Sequence, residues 1–173
     1  LLSQVGPGIY DPVTGGLYSL TGGPSISATS MGRALTFNGT TQYASWKYPY
    51  SGNPNNFSAA GWIKTTTTNN RAFCGRYETT TNNRSWFMGV ANTSWVGAPS
   101  GNEFSVVVST DGGVTNIKAY YTTGISVADD SWHHVAFTFS GGTLLLYVDG
   151  VARTTTKNSD VAFTTIYGGT ADL

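Results

Sequence analysis

Asp130-Ser-Trp-His-His-Val-Ala-Phe-Thr-Phe-Ser-Gly-Gly-Thr-Leu-Leu-Leu-Tyr-Val-Asp-Gly150 holds three consecutive strands and both turns that join them. Val135, Phe137 and Phe139 alternate with Ala136 and Thr138, the two-residue period of a strand with one apolar face. Gly141-Gly142 reverses the chain, and Leu144, Leu146 and Val148 repeat the alternation on the way back. Asp149-Gly150 then supplies the two positive-φ positions of a type I′ turn before Val151 to Thr156 return. The stretch reads as a β-meander, with no helical period in it.

Composition extends that reading to the whole chain. Its 173 residues suffice for one domain with a real core. Only 10% are charged and 13% are aromatic, with Gly, Thr, Ser and Asn between the apolar runs, the profile of a turn-rich β module. Nine basic and nine acidic side chains cancel, which removes the electrostatic footprint of a nucleic-acid or anionic-membrane binder. The longest apolar stretches are strand-sized, so no membrane insertion is expected. The chain starts Leu1-Leu2-Ser3 without methionine, which suggests processing or a place in a larger polypeptide.

Gly6-Pro7-Gly8, Asp11-Pro12 and Gly15-Gly16 punctuate residues 1 to 18, predicting an irregular lead-in before a β module over 19 to 173. Strands are expected at 33 to 37, 41 to 48, 57 to 67, 71 to 77, 84 to 91, 104 to 110, 114 to 122, 132 to 140, 143 to 149, 151 to 156 and 160 to 167. Asp111-Gly112-Gly113 marks a further hairpin turn. The Asn/Thr/Gly-rich loops at 50 to 56, 66 to 70, 78 to 83 and 92 to 102 are expected to gather at the rims, where binding surfaces commonly lie.

Two sets of residues carry a family resemblance. Trp132-His133-His134-Val135, a Gly-Gly turn and Leu146-Tyr-Val-Asp-Gly150 form one; Ala34-Leu-Thr-Phe-Asn-Gly39, Tyr43 and Phe57-Ser-Ala-Ala-Gly-Trp-Ile-Lys64 form the other. In order and spacing, over roughly residues 33 to 170, they resemble laminin-G-like domains of the concanavalin A-like lectin/glucanase group. The resemblance implies an all-β, antiparallel two-sheet jelly-roll sandwich that binds glycans or proteins. It also implies a last strand beyond the one Val161 to Tyr167 resembles, so the sandwich reads as truncated before its final strand. Closure by downstream sequence, by the lead-in or by a neighbouring chain is then expected.

Catalysis by a glucanase route needs two carboxylates facing one cleft. The two glutamates, Glu78 and Glu103, sit in loop context without a Glu-x-Asp-x-x-Glu arrangement, and Asp129-Asp130 and Asp149 read as turn residues. The chain is therefore expected not to be an enzyme. His133 and His134 are strand neighbours that point to opposite faces, a poor metal pair. Where relatives often carry acidic residues after the first Phe-Asp-Gly, this chain has Asn38-Gly39-Thr40-Thr41-Gln42, so no strong calcium site and no cofactor are expected. Cys74, the single cysteine, reads as a small buried hydrophobe. Asn38, Asn56, Asn83 and Asn92 head Asn-x-Ser/Thr sequons at a frequency chance can supply in so Asn- and Thr-rich a chain.

The candidate ligand-binding residues are aromatic. Trp46, Tyr48 and Tyr50 recur every second residue and would line one face of an extended segment; Trp95 lies in a loop-like stretch. Sugar stacking competes there with packing in the core or against a neighbouring subunit, which is the preferred physical reading. The sequence thus points to a non-catalytic recognition or display module, its partners glycans or neighbouring protein subunits, on an extracellular or virion surface. A purely structural assembly protein and a glycoside hydrolase are the alternatives.

Overall fold

A computed structural model describes residues 3–5, 8–10, 17–46, 52–68, 70–91, 101–158 and 162–171. Every regular element among them is a strand: β1 (Ser3–Val5), β2 (Gly8–Tyr10), β3 (Leu17–Thr21), β4 (Ser25–Thr29), β5 (Gly32–Thr36), β6 (Tyr43–Ser45), β7 (Asn56–Ile63), β8 (Arg71–Glu78), β9 (Asn83–Val90), β10 (Phe104–Ser109), β11 (Ile117–Thr122), β12 (His133–Ser140), β13 (Thr143–Val148), β14 (Val151–Ala152) and β15 (Thr155–Lys157). None of the described residues forms a helix long and apolar enough to cross a membrane.

The strands fall into two compact units, Leu1–Tyr48 with Asp172–Leu173, and Pro49–Ala171. The first unit holds a four-stranded antiparallel sheet, β1-β2-β3-β6, and a separate hairpin, β4-β5. The lead-in expected to be irregular over 1 to 18 therefore carries paired strands, because its backbone groups find partners across the sheet despite the Gly and Pro punctuation. Tyr43–Ser45 is all that forms of the strand expected over 41 to 48 among the described residues, and Ser25–Thr29 is a strand where none was expected.

The second unit is a sandwich of two antiparallel sheets, β15-β11-β10-β9-β8 and β14-β13-β12-β7. The meander forms as the sequence predicts it. Val135 to Ser140 of β12 pair with Val148 to Thr143 of β13, and β12 pairs with β7 on its other side. Asp149 and Gly150 take φ of 55° and 77°, the two left-handed positions of the type I′ turn. Burial alternates along β12 and β13, sending Val135, Phe137, Phe139, Leu144, Leu146 and Val148 inward. Across the core, Phe137 meets Trp86 of the opposite sheet at 5.5 Å between ring centroids, and Phe57 meets the same ring at 5.0 Å.

The five-stranded sheet is different, because β9 and β10 are buried on both faces. One face gives Trp86, Met88, Val106 and Val108 to the sandwich core; the other carries Phe87, Val107, Ala119 and Tyr121 in a second apolar cluster, with Tyr77 and Ile117 packed against it.

After β13 the chain changes sheets. The segment expected as one strand over 151 to 156 splits into β14, which extends the second sheet, and β15, which pairs with β11 in the first. No strand forms over 162–167, the described part of the one expected at 160 to 167. Phe163 stacks on Phe139 there, with centroids at 5.0 Å and planes 4° apart, and Ile166 is fully buried. Its backbone pairs singly, the Ile166 amide with the Pro54 carbonyl and the Tyr167 amide with that of Ser109. Arg76 fastens residues 168–171: its buried guanidinium donates to the carbonyls of Gly168 at 2.6 Å, Gly169 at 3.0 Å and Ala171 at 2.8 Å.

Candidate functional site

Strand β8 lies at the edge of the five-stranded sheet and pairs with β9 through two register shifts, between Ala72 and Cys74 and between Arg76 and Tyr77. Bulges of this kind re-aim side chains. Arg76 turns to the 168–171 segment, while its neighbour Tyr77 packs edge-on against Phe87, with ring centroids 4.9 Å apart and planes at 85°. Beside these rings opens a cleft of about 330 Å³ lined by Asn70, Ala72, Gly75, Tyr77, Thr79 and Phe87.

Gly75 lets β8 approach β9 closely at the cleft. A Cβ there would lie 2.4 Å from Phe87 Cβ and 2.5 Å from the Trp86 carbonyl oxygen, too close for any side chain without backbone movement. Gly75→Ala is expected to cost about 1–3 kcal/mol through overpacking, seen as a drop of several degrees in Tm by calorimetry.

The cleft is lined by two aromatic rings, an amide, a hydroxyl and small residues, with no charged side chain. Its walls are held in advance. Arg84 lies 5.9 Å from the Tyr77 ring centroid and donates to the Thr79 carbonyl at 2.7 Å and to Asn82 Oδ1 at 2.9 Å. Glu78 accepts the backbone amides of Thr80 and Thr81, at 2.5 and 2.8 Å, and both of their hydroxyls. Those bonds draw its carboxyl down to about 2, so it stays ionised and committed to the turn. Burial pushes the Tyr77 phenol up, opposed by the Arg84 charge, and its hydroxyl has no hydrogen-bond partner among the described residues. Cys74 is half-buried, and desolvation pushes its thiol up to about 11, leaving little thiolate at neutral pH.

Trp46, in the first unit, is half-buried with its ring 5.8 Å from that of Tyr18; Tyr48, Tyr50 and Trp95 lie outside the described residues. Sequence reading missed Asn70, Gly75, Tyr77 and Phe87. An isolated glycine between aromatics in a strand, Phe73-Cys74-Gly75-Arg76-Tyr77, is the signal that could have found them.

The other chemically notable groups lie elsewhere. Glu103 is buried, its carboxylate accepting the Asn102 amide at 3.0 Å. His133 faces inward and His134 half outward, where its ring meets Trp62 edge-on at 5.3 Å. Among the described residues no three or more His, Cys, Asp or Glu side chains are arranged to hold a metal ion.

The second unit is thus an all-β sandwich with an uncharged cleft beside the edge strand of one sheet. Residues 38–171 match the family model Laminin_G_3, and the chain belongs to that family, described as the concanavalin A-like lectin/glucanases superfamily. No curated protein matches the sequence. Among solved structures it is similar to the binding domain of Paraclostridial Mosquitocidal Protein 1, with a TM-score of 0.67 and 11% identity over 99% of this chain and 42% of that one. It is also similar to Domain 4 of AbnA, a GH43 extracellular arabinanase from Geobacillus stearothermophilus, in complex with arabinotriose, with a TM-score of 0.54 and 16% identity over 90% of this chain and 71% of that one. The chain thus spans under half the length of the first of these structures, and at such identities the likeness is one of fold.

Proposed function

We propose that this chain is a non-catalytic recognition module that takes one or two rings of a neutral glycan into the cleft of Asn70, Ala72, Gly75, Tyr77, Thr79 and Phe87, on the outside of a cell or particle. The observation that carries this reading is the composition of the cleft, with aromatic rings for sugar faces, an amide and a hydroxyl for sugar hydroxyls, and no charge. The arabinotriose held by Domain 4 of the arabinanase supports the ligand class, and the toxin domain supports a binding role. Commitment of the Glu78 carboxylate to its turn and burial of Glu103 support the absence of hydrolysis, and recognition by rings and hydroxyls needs no calcium.

A second reading, contact with a neighbouring subunit, is favoured by the exposed Trp62 and Leu145 on the outer face of the β14-β13-β12-β7 sheet.

Affinity electrophoresis in gels of neutral polysaccharides tests the first reading. The protein is expected to be retarded by at least one of them, equally with and without chelator, and to release no reducing ends. Ala72 is exposed at the lip of the cleft, so Ala72→Arg should fill it and abolish retardation while leaving Tm within about 1–2 °C. Equal retardation of that variant would remove the cleft from the account.

A further inference from the structure

Three elements meet around one imidazole. His133 opens β12 with its side chain 11% exposed; its Nδ1 lies 2.8 Å from Asp149 Oδ2 in the β13–β14 turn, and its Nε2 lies 3.0 Å from Asp129 Oδ1 in the 123–132 loop. A neutral imidazole has one N–H and one lone pair, so it can donate to only one of two carboxylates. The imidazolium donates to both, and this geometry fits that form.

The two carboxylates are not equally fixed. Asp149 Oδ1 also accepts the His134 amide at 2.9 Å, and the Asp149 amide donates to the His134 carbonyl at 2.8 Å, which ties the residue to β12 twice more. Beyond His133, Asp129 is held by Ser131 of its own loop, whose amide donates to Oδ1 at 2.9 Å. The surrounding charges are Lys64, 3.5 Å from Asp130 on the same loop, and Arg153, whose charge acts on Asp149.

We propose that His133 is a proton-operated latch: as imidazolium it fastens the 123–132 loop to β12 through Asp129, and on losing the Nε2 proton it releases Asp129 while Nδ1–H keeps Asp149. The rest of the loop stays anchored by the Thr123, Val127 and Asp130 amides, which donate to the carbonyls of Thr154, Asn102 and Thr65, so release is local to the Asp129 carboxylate and the Ser131 amide it accepts from.

Burial draws the His133 value down, but the bonds and charges of Asp149 and Asp129 together outweigh it and raise it above the ordinary 6.5. The His133 bonds, first among its causes, lower Asp129; burial opposes the fall at Asp149, where His133 and the His134 amide win. A raised imidazole contributes stability that is complete below about pH 6.5 and lost as pH rises through its folded value. The lowered carboxylates contribute stability that is complete above about pH 4 and lost as pH falls through theirs. The latch is thus fastened across mildly acidic pH.

A ¹⁵N NMR titration of the intact chain from pH 4 to 9 tests this. The expected result is a His133 midpoint above 6.5, loss of the Nε2 rather than the Nδ1 proton, and movement of the Asp129–Ser131 amide signals with the same midpoint. Asp129→Asn should bring the midpoint down and uncouple those amides. A wild-type midpoint at or below 6.5, loss of the Nδ1 proton first, or loop amides indifferent to the titration would each overturn the latch.

Discussion

Phe137→Ala is expected to destabilise the protein by about 3–5 kcal/mol, the range for emptying a fully buried aromatic site. Phe137 is 0% exposed and bridges the two sheets of the sandwich, its ring 5.5 Å from Trp86 and 5.6 Å from Phe57. Its strand is hydrogen-bonded on both sides, to β13 and to β7, so the backbone cannot collapse into the space left behind. For a chain of this length each kcal/mol corresponds to about 2–4 °C, so calorimetry should show a fall in Tm of about 6–20 °C. Phe137→Leu, which keeps most of the volume, should recover much of the loss.

Arg76→Met should have an effect of similar size and a different character, at about 3–5 kcal/mol. The substitution keeps the apolar stem and removes a buried, charged fork that serves three carbonyls, those of Gly168, Gly169 and Ala171. Those oxygens lie 92 to 95 residues away in sequence and have no ladder to return to. Hydrogen exchange should therefore show lost protection concentrated at residues 166–171, with β12 and β13 little changed at equal temperature below Tm. Arg76→Lys should not restore it, since a single ammonium cannot span the three acceptors.

The parts of the fold that repay reading from sequence are those where burial is one-sided. Residues 133 to 150 alternate because β12 and β13 hide one face and show the other, and the Asp149-Gly150 turn has a backbone requirement that few residue pairs meet. Strand β4 carries no such mark: Ser25–Thr29 holds one large apolar residue, Ile26, and becomes a strand by pairing with β5. The described segment ending in Ile166-Tyr167 has strand-like composition but no ladder, because its partners are single backbone groups and the residues after it are held by a distant arginine. Side-chain fasteners of that kind have no period.

The cleft was hidden for a related reason. Its lining comes from both ends of β8, from the turn after it and from the facing β9, and two bulges decide which side chains share a face. A period-two reading assigns those faces wrongly after the first bulge. Asp129 and Asp149 were legible as turn residues, and both do shape turns, but their convergence on His133 depends on strand register.

The most direct measurement of the central claim is an NMR titration of the ¹⁵N-labelled chain with neutral oligosaccharides, arabino-, xylo-, gluco- and galacto-configured in turn. One series should bind with a dissociation constant of about 0.1–1 mM, a free energy of about −4 to −5.5 kcal/mol, reasonable for one or two stacked rings. The account predicts shift changes centred on the amides of Asn70, Ala72, Gly75 and Thr79, with the oligosaccharide recovered intact. Silence from every series, or perturbations centred instead on Trp62 and Leu145 of the opposite sheet, would contradict it.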